Sequence, residues 1–196
     1  MDLTQGTLQH KKGRAKKMML WFGIVSLVMS FGGLTSAFIV SSTREDWLTN
    51  FELPQAFTAS TIIIILSSIV LYFSKKALLK QHNQLSISLL LGTFVLGLAF
   101  IYTQLSGFSE IIQSGYNFTG PTSNITMSYI YIIAVVHILH VLAGLICLIV
   151  VIINHLKNKY TPTTILGFEL ASTFWHFVDI LWLYLFFFLY FFNKIN

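Results

Sequence analysis

A chain of 196 residues, 55% hydrophobic and only 10% charged, has the balance of a protein whose solvent is lipid rather than water. Its net charge of +5 would suit a nucleic-acid partner only if the basic residues gathered on one accessible face. They are instead dealt out among loops, which excludes nucleic acid as a partner.

About 20 mostly apolar residues cross roughly 30 Å of hydrocarbon as a helix. Five stretches qualify, at about 18–40, 57–74, 86–106, 128–153 and 169–192. The predicted fold is therefore all-α, an integral membrane bundle of five transmembrane helices, with a basic tail over 1–17 and one membrane domain over 18–196. Lys11, Lys12, Arg14, Lys16 and Lys17 precede the first span as in a secretory signal. A signal's apolar stretch is only about 7 to 15 residues long, so the first span is read as a retained helix.

Gly32-Gly33 in the first span, Ser67-Ser68 in the second, and Gly92 with Gly97 in the third let helices approach closely. Gln104, near the end of the third, is expected to hydrogen-bond between helices. The following loop, 107–127, carries Gly115, Asn117, Gly120 and Pro121 and reads as turn-rich surface. Its two glycosylation-like triplets, Asn117-Phe118-Thr119 and Asn124-Ile125-Thr126, are read as chance occurrences of a short pattern. Cys147, in the fourth span, is the only cysteine, so no internal disulfide forms. Five spans do not divide into two equal inverted repeats of the transporter kind.

Ionisable side chains are expensive in hydrocarbon, which makes the few present the informative ones. The fourth span holds His137 and His140, with His155 at its border, and the fifth holds Glu169, His176 and Asp179. Helical spacing puts Glu169 and His176 close to one stripe and lets His176 touch Asp179, while Trp175 and Trp182 share a different face. The first reading of this polar edge is helix packing and subunit docking; a proton relay or a lipid headgroup site is the sharper alternative. His137 and His140, one turn apart on one helix, cannot take opposite faces of a haem, and three membrane histidines without a second cysteine leave too few ligands for copper. No redox metal is expected in this chain.

The run Phe174-Trp175-His176-Phe177-Val178-Asp179-Ile180-Leu181-Trp182 resembles the final-helix signature of subunit III of haem-copper terminal oxidases, differing at Phe174, where the family has tyrosine. His137, His140, Val141 and Gly144 are similar to the family's histidine pair and glycine, without the usual glycine between the histidines. Leu53-Pro54, Ser60-Thr61 and Ser67-Ser68, then Gly97, Phe100 and Gln104, resemble the preceding helices. Two departures stand out: Leu27 follows Ser26 where many members place a glutamate, and Gly107 and Phe108 lie where an acidic residue is common.

The resemblance implies the five-helix bacterial form of subunit III of cytochrome c oxidase or quinol oxidase. It implies a non-catalytic core subunit of a proton-pumping enzyme in aerobic respiration, with haems and copper in subunits I and II. Subunits I and II, bound phospholipid and, in a larger assembly, a respiratory supercomplex are the implied partners, and the bacterial inner membrane the implied location. Family members hold phospholipid between helix groups and brace subunit I near the side where protons are taken up. His137, His140, Glu169, Trp175, His176, Asp179, Trp182 and Gln104 become candidates for structural or lipid-binding roles. Two other readings are a companion subunit of a nitric-oxide reductase, and a small transporter or channel using the His176 and Asp179 edge.

Orientation follows from the lysine and arginine bias. Ten of the twelve basic residues fall in the N-terminal tail and in the loops after the second and fourth spans; only Arg44 and Lys194 fall on the other side. This predicts a cytoplasmic N-terminus and a periplasmic C-terminus, so a reporter fused after Asn196 should be active only outside the cytoplasm. Activity of that fusion inside would refute the assignment.

Overall fold

The computed structural model describes residues 8–48, 54–116, 124–161 and 164–195; Leu53 and the triplet at Asn117 lie outside them. Five helices run in chain order: α1 over Leu8–Ser41, α2 over Gln55–Leu79, α3 over Asn83–Gln113, α4 over Ile125–Leu156 and α5 over Leu166–Ile195. All five are long and apolar enough to cross a membrane, and among the described residues there is no strand. α1 begins ten residues ahead of the expected span, so Lys11 to Lys17 are helical and continuous with it.

Local chemistry sets the ends. Pro54, with φ −53° and ψ 141°, precedes α2, where its missing N–H leaves no helical bond unmade. α2 stops where Gln81 turns left-handed at φ 62°, and its N–H bonds back to the Leu78 carbonyl at 3.0 Å. This tight turn returns the chain into α3 within a few residues. Asn124 caps α4 by accepting from the Thr126 N–H at 2.8 Å. Its Nδ2 donates to the Asp46 carbonyl, which ties the α1–α2 loop to the start of α4. In that loop the hydrogen-bonded Arg44 guanidinium holds the Asp46 carboxyl below the usual carboxylate range.

α2, α3, α4 and α5 form a ring in which each packs on its two neighbours, and α1 lies outside, against α4 and α5. The ends alternate: Lys17 of α1, Lys75 of α2 and Glu169 of α5 meet at one face of the bundle. One core fills the ring toward that face, with Leu71, Leu90, Phe100, Leu145, Trp175 and Trp182. A second, nearer the opposite face, joins α1 through Phe31 and Phe38 to Phe57, Met127, Ile130 and Leu185. Large side chains such as Phe22, Met29, Val95, Leu139 and Ile146 stay on the outside, as a lipid-facing surface requires.

Gly97 of α3 is where the ring closes most tightly. A Cβ there would lie 2.7 Å from the Trp175 ring and 2.8 Å from Leu145, whereas one at Gly33 would meet nothing within 4 Å. Gly97→Val should therefore destabilise the detergent-solubilised protein by about 1–3 kcal/mol, the usual range for overpacking, while Gly33→Ala leaves it unchanged. Thermal unfolding of the two variants side by side tests this; equal midpoints would refute the close approach.

Candidate functional site

α2 carries hydroxyls at a spacing of seven: Ser60 and Thr61, then Ser67 and Ser68, then Ser74. A seven-residue repeat stays near one face of a helix, and α5 runs antiparallel to α2 with its own repeat in Trp175 and Trp182. The two repeats meet. Trp182 Nε1 donates to Thr61 Oγ1 at 3.0 Å, Trp175 Nε1 donates to Ser67 Oγ at 3.1 Å, and Ser68 Oγ bonds His176 Nδ1 at 2.6 Å. About two helical turns further, Lys75 Nζ approaches Glu169 at 3.9 Å.

The same helix fastens α3. Gln104 Nε2 donates to Ser60 Oγ at 2.8 Å, and Ser74 Oγ donates to the Ser86 carbonyl at 2.8 Å. Ser60 and Thr61 each donate to the Phe57 carbonyl, at 2.8 and 2.7 Å, which leaves their lone pairs aimed outward to accept from Gln104 and Trp182.

Trp175, 1% exposed, reaches all four helices of the ring. Its nitrogen bonds α2, and its ring lies over Gly97 of α3 and Gly144 of α4, where a Cβ would come within 2.7 and 2.9 Å. His137 is fully buried, its ring centroid 5.1 Å from that of Trp182 and 5.9 Å from that of Phe100. His140 turns toward α1, its Nδ1 bonded to the Val136 carbonyl at 2.7 Å and its ring 5.7 Å from Phe31.

One expectation needs correction. His176 and Asp179 make no ion pair or hydrogen bond; Ser68 of α2 takes the imidazole instead. Three-residue spacing brings two side chains near one another along a helix, but the short bond forms across to the neighbouring helix, where a hydroxyl faces the ring nitrogen squarely. Ser68 also approaches the Asp179 carboxyl without closing a hydrogen bond, and neither Asp179 oxygen has a partner. Glu169, expected at the start of the fifth span, is a partly exposed carboxylate in the first turn of α5, where the helix dipole favours it. It pairs with Lys17 at 3.2 Å and Lys75 at 3.9 Å, and with Leu20, Trp21, Leu170 and Thr173 they line a shallow cavity of about 280 Å3.

The histidines are directed elsewhere than to a shared copper ion. No three His, Cys, Asp or Glu side chains converge among the described residues, and His137, His140 and His176 point to aromatic rings, a carbonyl and a serine respectively.

The side chains that fasten the ring are largely those of the motif in the last helix, and the family model of cytochrome c oxidase subunit III matches residues 4–194. The chain belongs to that family. A cytochrome bo(3) ubiquinol oxidase subunit 3 from Buchnera aphidicola subsp. Baizongia pistaciae is 33% identical over 68% of this chain and 71% of its own length. Its counterpart from subsp. Acyrthosiphon pisum is 28% identical over 96% and 93%. A cytochrome c oxidase subunit 3 from Corynebacterium diphtheriae is 29% identical over 84% and 82%. Subunit III relatives thus carry the names of both quinol and cytochrome c oxidases.

In this subunit III chain, sequence reasoning missed Ser68 as the partner of His176 and the lysines that hold Glu169. The matching seven-residue repeats on α2 and α5 were the signal that could have found them. Ser67→Ala should leave the buried Trp175 N–H without an acceptor and lower stability by about 1–3 kcal/mol, whereas Ser88→Ala, which removes an exposed hydroxyl bonded to its own helix, should change little. Denaturant or thermal unfolding in detergent reads both. Equal stability would mean that the indole is not held through its nitrogen.

Proposed function

We propose that this chain is the non-catalytic subunit III of a proton-pumping haem-copper terminal oxidase in the bacterial inner membrane, its N-terminus cytoplasmic and its C-terminus periplasmic. It braces subunit I and holds phospholipid, while subunits I and II carry the haems and copper that reduce oxygen. The observation that carries this reading is the use made of the family motif: Trp175, His176 and Trp182 are spent on fastening α5 to α2, which suits a scaffold rather than a reaction centre. The family match over residues 4–194 supports the same role.

Phospholipid has a fitting place at the basic face. Lys17 and Lys75 supply cationic donors for a phosphate, Glu169 sets their positions, and exposed Trp21 stands where an interfacial aromatic is favourable.

Pull-down of the tagged chain in mild detergent should bring haem-containing subunits with it, and the chain purified alone should show no haem absorbance and no stoichiometric copper. Stoichiometric haem or copper held by the isolated chain would overturn the assignment. Lys17→Ala and Lys75→Ala should each weaken retention of anionic phospholipid by about fivefold, since a lysine near an anionic headgroup contributes about 1 kcal/mol. Unchanged lipid content by mass spectrometry in both variants would exclude that cavity.

A further inference from the structure

Between α2 and α5, on the outer side of the ring, lies a groove of about 440 Å3 walled by Ile65, Ile69, Tyr72, Phe73, Ile180 and Leu183, with Ser68, His176 and Asp179 at its base. Its walls are apolar, and the exposed faces of Ile69, Tyr72 and Ile180 open it to the membrane. Asp179 is 3% exposed, and both its carboxyl oxygens lack a hydrogen-bond partner. The hydroxyl of Ser68, beside it, bonds His176 and does not close a hydrogen bond to the carboxyl.

Depth decides what can satisfy that carboxyl. Asp179 lies ten residues along α5 from Glu169, which meets two lysines at the end of the bundle. Ten residues at about 1.5 Å each are about 15 Å, half of a hydrocarbon layer roughly 30 Å thick. Asp179 is therefore at mid-membrane, beyond a lipid headgroup. An acyl chain would fill the groove but offers no donor. A carboxyl at that depth is satisfied by protein.

We infer that the α2–α5 groove receives a transmembrane helix of a neighbouring oxidase subunit, which places a hydrogen-bond-donating side chain against Asp179 at mid-depth. The apolar walls supply packing surface and the buried, unpartnered carboxyl fixes the register of the incoming helix, as polar groups do between membrane helices. The inference rests on the subunit III reading above, since it needs a partner that spans the membrane.

The test uses the whole oxidase. A photoreactive side chain placed at Ile69 or at Ile180 should crosslink this chain to another subunit of the purified complex. Asp179→Leu should lower the fraction of this chain that stays with the haem-containing subunits about tenfold, as loss of one buried hydrogen bond allows, whereas Asp179→Asn, which keeps an acceptor oxygen, should retain it. Thermal unfolding of the detached Asp179→Leu chain checks that it remains folded. Crosslinks from the groove to lipid alone in an intact complex, or full retention of the Asp179→Leu chain, would overturn the inference and leave the subunit III assignment standing. Failure of any haem protein to co-purify with the unaltered chain would overturn both.

Discussion

The bundle depends on the position of one indole. Trp175 is donated by α5, bonded to α2 and seated on glycines of α3 and α4, so a single rigid side chain measures the separation of all four ring helices. Lipid tails are as apolar as leucine, so burial of hydrocarbon gives helices in a bilayer little reason to prefer each other. Close packing and directed hydrogen bonds have to do it. Trp175 combines both: large contact area over two positions without a Cβ, and an N–H that only a correctly placed acceptor satisfies.

The acceptors come from α2, which uses hydroxyls in two directions. Ser67 is held by Trp175 on one side while its own Oγ points to the Thr93 carbonyl of α3 at 3.5 Å, so the same atom lies in both seams. Ser60 and Thr61 repeat the arrangement a seven-residue step earlier, toward Gln104 and Trp182. Because the polar contacts recur at that step on both α2 and α5, sliding one helix by a single turn would break several bonds together. The register is fixed by their coincidence rather than by any one of them.

The spans could be read from hydropathy alone, because no other structure hides backbone polar groups over such lengths. The small-residue positions were legible in part: Gly97 meets Trp175 as close approach requires, whereas a Cβ at Gly32 or Gly33 would meet nothing within 4 Å, so that pair does not bring helices together. Partners were less so. Spacing along one helix says which side chains share a face, but not what faces them, and His176 illustrates the limit: its nearest acidic neighbour in sequence lost to a serine 108 residues away. Glu169 is a related case: its lysine partners on α1 and α2 are brought in by folding, and spacing along α5 does not show them.

The peripheral seat of α1 bears on how the chain is made. A ribosome delivers α1 to the membrane first, yet the surfaces that receive it belong to α4 and α5, the last two helices to arrive. During synthesis its Phe31 and Phe38 must wait in lipid while the ring assembles without them, and the ion pair of Lys17 with Glu169 forms only when the fifth span is nearly complete. Docking of α1 is thus completed last: in a chain truncated before α5 the first helix has only its α4 seat, and the rest of its inner face stays turned to lipid.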